Sequence, residues 1–147
     1  MKRFYERHVP HLPARMFEIV ADLAHYPRFI PNCQAMQVRP DPAANGKDVR
    51  LARMTISFGP ITQAYTSRVT LDPDALTVRA KAVDGPFAYL DSIWSFEPEG
   101  QGTRVRFEID FKISNQLIAA VAEPAFAAKQ EEIMRAYCDE ADRRFGA

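Results

Sequence analysis

The alternation of apolar and charged residues is cleanest between Thr103 and Ile113. There Val105, Phe107, Ile109, Phe111 and Ile113 interleave with Arg104, Arg106, Glu108, Asp110 and Lys112. A period of two sends each set to its own face of a β-strand, one dry and one wet. Four earlier segments carry the same theme: Val49 to Phe58, Ile61 to Leu71, Leu76 to Val83 and Ala88 to Glu97. Their dry positions include Met54, Ile56 and Phe58, then Ile61, Tyr65, Val69 and Leu71, then Leu76, Val78, Ala80 and Ala82. The breaks at Gly59-Pro60, Asp72-Pro73-Asp74, Asp84-Gly85-Pro86 and Pro98-Glu99-Gly100-Gln101-Gly102 are turn chemistry, and strands joined so tightly pair antiparallel.

Before this run, Arg3 to Val9 alternates with Phe4, Glu6 and His8 on one side and Tyr5, Arg7 and Val9 on the other, a short first strand. Ala14 to Ala24 then spaces Met16, Phe17, Ile19, Val20 and Leu23 as a helix does, with Pro13 acceptable in its first turn. His25-Tyr26-Pro27-Arg28-Phe29-Ile30-Pro31 is too broken by proline for a long helix and too apolar for a solvated loop, which predicts a short helical turn pressed on the core. Cys33 to Val38 returns to an extended pattern, and the turn residues from Pro40 to Gly46 predict a hairpin.

One sheet with a single apolar face needs a cover, and Ser114 to Phe145 is the only long helical pattern available. Ser114 or Asn115 caps its start. The expected apolar stripe is Leu117, Ile118, Val121, Ala122, Ala125, Phe126, Ile133, Met134, Tyr137, Ala141 and Phe145. Pro124 interrupts the stripe, at about 3 kcal/mol in a regular helix, and predicts a kink near residues 120–123. The class is therefore α+β. Residues 1–147 are expected to form a single domain: a curved antiparallel sheet of about seven strands, two short helical segments after the first strand, and a long C-terminal helix across the concave face.

Composition narrows the chemistry. Nineteen basic residues balance nineteen acidic ones, so no overall field draws the chain to DNA or to an anionic bilayer. The N-terminus lacks the apolar stretch of a secretory signal, and no apolar run approaches the ~20 residues that span a bilayer, so a cytoplasmic protein is expected. Cys33 and Cys138 are far apart and predict two buried free thiols, not a disulfide or a metal site. His8, His11 and His25 lack metal-ligand spacing and are expected at the surface. The acids of the 103–113 strand lie on its wet face, and no G-x-S-x-G nucleophile motif is present, so no catalytic residue is assigned.

Two segments resemble a known family. Tyr26-Pro27-Arg28-Phe29-Ile30-Pro31-Asn32-Cys33, preceded by Phe17-Glu18-Ile19-Val20-Ala21-Asp22, is similar to the "V-x-D … Y-x-x-F-[LI]-P-x-C" segment of the coenzyme Q-binding START-like proteins. Gly85-Pro86-Phe87-Ala88-Tyr89-Leu90-Asp91-Ser92-Ile93-Trp94-Ser95-Phe96 resembles their "G-P-F-x-x-L-x-x-x-W-x-F" strand. One departure is Asn32, where many members carry Trp. The resemblance covers nearly the whole chain and implies the helix-grip (START-like, Bet v 1-like) fold. It also implies ubiquinone, or a related polyprenyl quinone, as ligand with no required cofactor, and peripheral contact with the cytoplasmic face of the inner membrane and its respiratory complexes. A bacterial branch with the same motifs is described as a ribosome-association toxin, which makes the ribosome the alternative partner. Polyketide cyclases of the wider superfamily supply a third reading, for which Tyr65 and Tyr89 are the candidate hydroxyls.

A quinone with an isoprenoid tail needs a long apolar slot, commonly ~300–1,000 Å³ for a ligand pocket. The wall candidates are Met54, Ile56, Tyr65, Tyr89, Trp94, Phe107, Ile109, Phe111, Val121, Phe126 and Met134, with Phe29 from the first motif. Burying an isoprene unit is worth roughly 4 kcal/mol from water, yet a bilayer already shelters the tail, so selectivity rests on the head group. Lys2, Arg3, Arg7, Arg15 and Arg28 cluster early in the sequence, where lipid head groups or ribosomal RNA are the polyanions to weigh.

Overall fold

A computed structural model describes residues 1–44, 48–58 and 60–146. Asn45, Gly46 and Gly59, expected in turns, lie outside the described residues. The chain runs β1 (Lys2–Val9), α1 (Pro13–Ala21), a 3-10 helix (Leu23–Arg28), β2 (Cys33–Pro40), β3 (Asp48–Phe58), β4 (Ile61–Asp72), β5 (Thr77–Ala82), β6 (Phe87–Glu99), β7 (Gly102–Ile113) and α2 (Gln116–Phe145).

All strand pairs are antiparallel in the order β1-β7-β6-β5-β4-β3-β2. The strands β2 to β7 meander between adjacent positions, while β1 closes on β7 at the opposite edge from β2. The connection from β1 to β2 must therefore cross the sheet, roughly 29 Å at the usual strand spacing. The helices α1 and Leu23–Arg28 make that crossing and seal the concave face on the way, burying Met16, Ile19, Val20, Leu23 and Tyr26.

The expected helix from Ala14 to Ala24 ends early, at Ala21. Asp22 leaves helical geometry (φ −83°, ψ 62°), and Pro27 two turns on supports only the tighter 3-10 form. Leu76, expected on a strand, has φ 54°, so β5 begins one residue later. Asn32 also takes a left-handed backbone, φ 67°, and the β2 ladder slips between Cys33 and Ala35 just beyond it. Asn tolerates this conformation better than most residues, which suits it to the entry of β2.

Helix α2 starts with Asn115, whose Oδ1 accepts from the Leu117 and Ile118 amides at 3.0 and 3.3 Å. Pro124 lies within α2 without dividing it. Its buried line runs Ala122, Phe126, Gln130, Met134, Tyr137 and Ala141. Leu117 and Val121, expected on the covered stripe, are instead 87% and 59% exposed. They stand one residue, about 100° of helix, round from Ile118 and Ala122. Alternation on β7 holds throughout, with Val105, Phe107, Ile109, Phe111 and Ile113 all buried.

Candidate functional site

Between the concave face and α2 lies a cavity of about 110 Å³ with no charged side chain in its lining among the described residues. Strand pairing explains where the room comes from. One row across the sheet is Leu71, Val78, Trp94, Phe107 and Tyr5, bulky at nearly every position. The next is Val69, Ala80, Ser92 and Ile109, and a third pairs Ala52 with Ser67. Four small residues, Ala52, Ser67, Ala80 and Ser92, thus pave the middle of the floor inside a rim of large ones. Helix α2 spans this hollow with Phe126, Gln130, Ile133 and Tyr137, spaced to face one way. Leu23, Tyr26 and Ile30 wall one side.

Of the residues assigned to the walls from sequence, the structure brings seven together around the cavity: Met54, Ile56, Tyr65, Trp94, Phe107, Ile109 and Phe126. Five lie elsewhere. Phe111 is fully buried behind Phe126, its ring centroid 4.7 Å away. Met134 is buried one residue round from Ile133, outside the lining. Phe29 packs behind Tyr137 at 5.8 Å, with the Arg144 guanidinium 5.7 Å from its ring centre. Val121 faces away, for the helical reason above.

Tyr89 is 40% exposed and pairs with Lys112 on the wet side. A ladder slip between Phe87 and Tyr89 puts Phe87 inward with Leu90 and leaves Tyr89 outward. Counting back from Trp94 by twos reaches Leu90, so parity already excluded Tyr89 from the dry face. The small residues of the floor were missed because pattern reading looks for bulk. Their signal was the inward parity of Ala52, Ser67, Ala80 and Ser92 on paired strands.

The polar groups of the cavity are phenols, two serines, an amide and the Trp94 indole. Gln130 is 3% exposed, and its Nε2 donates to the Phe126 carbonyl at 3.1 Å. Tyr137 donates to the Tyr26 oxygen, and Tyr26 donates in turn to the Val20 carbonyl. Tyr65 donates to the Met54 sulfur at 3.7 Å. Burial pushes all three phenols above their ordinary range, so they are protonated donors at neutral pH and poor bases. The Cys33 thiol, raised by burial to about 11, is likewise protonated and a poor nucleophile.

Charged groups gather at the C-terminal end of α2 instead. The buried Glu140 carboxylate accepts from Arg143 and Arg144, and Arg144 also bridges to Asp22 of the α1 end at 2.9 Å. His11, expected at the surface, is 5% exposed and bonds Asp142 through Nε2 at 2.6 Å, because the β1–α1 connection tucks under the end of α2. The early basic residues do not form one patch. Alternation sends Lys2 to one face of β1 and Arg3 and Arg7 to the other, while Arg15 covers the Phe145 ring from 5.0 Å. Among the described residues no group of three or more His, Cys, Asp or Glu is arranged to hold a metal, and no helix is long and apolar enough to cross a membrane.

Comparison with known proteins places these features. The family model described as "Polyketide cyclase / dehydrase and lipid transport" matches residues 9–138. The ribosome association toxin RatA of Rickettsia prowazekii is 29% identical over 132 residues, 88% of each chain. The mitochondrial coenzyme Q-binding protein coq10 of Schizosaccharomyces pombe is 29% identical over 137 residues, covering 92% of this chain and 83% of that one. A START superfamily protein from Mycobacterium smegmatis superposes with a TM-score of 0.80 at 13% identity, over 97% of each chain, and shares the fold. With its seven-stranded sheet gripping a long C-terminal helix, the chain belongs to the polyketide cyclase / dehydrase and lipid transport family and has the START-like fold.

Proposed function

We propose that residues 1–147 act as one lipid-binding unit that holds ubiquinone, or a related polyprenyl quinone, in the cavity beneath α2. The bound quinone is presented to respiratory enzymes at the cytoplasmic face of the inner membrane. The observation that carries the reading is the hollow itself, an uncharged space paved by Ala52, Ser67, Ala80 and Ser92 in an otherwise bulky core. Relatives named coenzyme Q-binding proteins support the choice of ligand. The role inferred is carriage, with the buried phenols of the lining, protonated at neutral pH, serving as hydrogen-bond donors.

At about 110 Å³ the space is smaller than the ~300–1,000 Å³ of ordinary ligand pockets. Loading therefore needs the half-buried Met36, Met54 and Ile133 to swing aside, and methionine is well suited to that. Protein purified from its native host is expected to carry quinone at near-stoichiometric yield by mass spectrometry. Ser92→Leu, which fills the floor, is expected to carry little. Equal yields from the two proteins would sink the assignment.

A second reading rests on the relatives named ribosome association toxin, which match as much of the chain as the quinone binders do. Under it, overexpression raises free ribosomal subunits at the expense of intact ribosomes on sucrose gradients, and an unchanged profile removes it.

A further inference from the structure

The three phenols around the cavity differ in what receives their protons. Tyr26 and Tyr137 form a relay ending on the Val20 carbonyl. Tyr65, 7% exposed on β4, has a thioether for its acceptor, the Met54 sulfur at 3.7 Å. Sulfur of this kind is a weak acceptor, so a buried donor is served poorly.

The ring that carries this donor is held in place. Phe87 meets it edge-on at 5.0 Å between centroids. Behind it the β5–β6 turn approaches so closely that a Cβ on Gly85 would lie 2.4 Å from the Tyr65 Cβ. Gly85 also has φ 95°, so glycine is required there on both counts. The first atoms of the G-P-F motif thus act as a backstop for Tyr65. A donor fixed at the wall of an apolar space, with a replaceable partner, is a built half of a hydrogen bond.

The lining also says what the other half must be. Among the described residues it contains no Lys, Arg or His, so an anionic head group would be buried without a counter-charge. An uncharged acceptor oxygen meets no such cost. On the reading that the cavity holds a lipid, we propose that the Tyr65 hydroxyl anchors the carbonyl oxygen of an uncharged head group, a quinone or ketone, by exchanging the Met54 sulfur for that oxygen. Carboxylate lipids of equal length are discriminated against.

Binding is measured for wild type and Tyr65→Phe with three probes: a benzoquinone bearing a ten-carbon tail, the matching alkylbenzene without oxygens, and a fatty acid of similar length. The variant is expected to lose about five- to tenfold in quinone affinity and none for the alkylbenzene. The infrared carbonyl band of the bound quinone is expected at lower frequency in wild type than in the variant. Equal quinone affinity in the two proteins, or a preference of wild type for the fatty acid, overturns the anchor while leaving the cavity reading intact. Failure of wild type to bind any of the three overturns the cavity reading itself.

Discussion

Glu140 sits on α2 with its carboxylate almost wholly buried, and hydrogen bonds from Arg143 and then Arg144 hold it down to about 2 against the opposing effect of burial. Because the folded value lies below the ordinary 4.5, the ionised form stabilises the fold in full above that pH. The contribution is lost as pH falls from about 4.5 toward 2. Urea midpoints measured from pH 7 to pH 2 should therefore fall steeply for wild type through that window. Glu140→Gln should start lower at pH 7, by on the order of 2 kcal/mol, and fall less. The sequence places Arg143 and Arg144 one turn on, as it places Arg135 one turn on from Glu131 and Glu132, but it does not mark the burial. Glu140 reads as one more acid on a charged helix, and only packing against the α1 end, where Asp22 shares Arg144, sets it apart from Glu131 and Glu132.

At the scale of elements, period-two alternation was legible wherever one strand face is dry, as along β7, and it carried most of the sheet. It failed in detail where geometry inserts an extra residue. At Phe87 to Tyr89 the ladder slip moves two aromatics to opposite faces, and a strict count of twos would have kept them together. Helix α2 shows a different limit. Leu117 and Val121 satisfy the same apolar spacing as Ile118 and Ala122, and composition cannot say which of two adjacent stripes the sheet will cover. Their exposure makes a prediction about stability. Leu117→Gln and Val121→Gln should each change the urea midpoint by no more than about 0.5 kcal/mol equivalent. A loss of several kcal/mol would mean that this end of α2 is covered after all.

For the whole molecule, the proposed function makes the hollow a trade between ligand space and stability. Voids left by large-to-small changes in cores cost about 24 cal/mol per Å³, which for a space of about 110 Å³ comes to about 3 kcal/mol. Ser92→Leu should therefore raise the thermal midpoint by several degrees while excluding ligand, as a calorimetric scan would register. Why the sequence hid this hollow is now physical and specific. Ala52, Ser67, Ala80 and Ser92 lie on four different strands, and they become neighbours only once the registers of β3 to β6 are known.

The same hollow governs how the protein responds to compression. Unfolding eliminates internal void volume, so the unfolded state takes up less volume, and pressure favours it. About 110 Å³ per molecule is on the order of 60 mL/mol, comparable to the whole volume change of an ordinary domain. A protein with this much internal volume is expected to be sensitive to pressure. On the proposed function a lipid takes up that volume, and high-pressure fluorescence is expected to show the lipid-bearing protein unfolding at higher pressure than the lipid-free one.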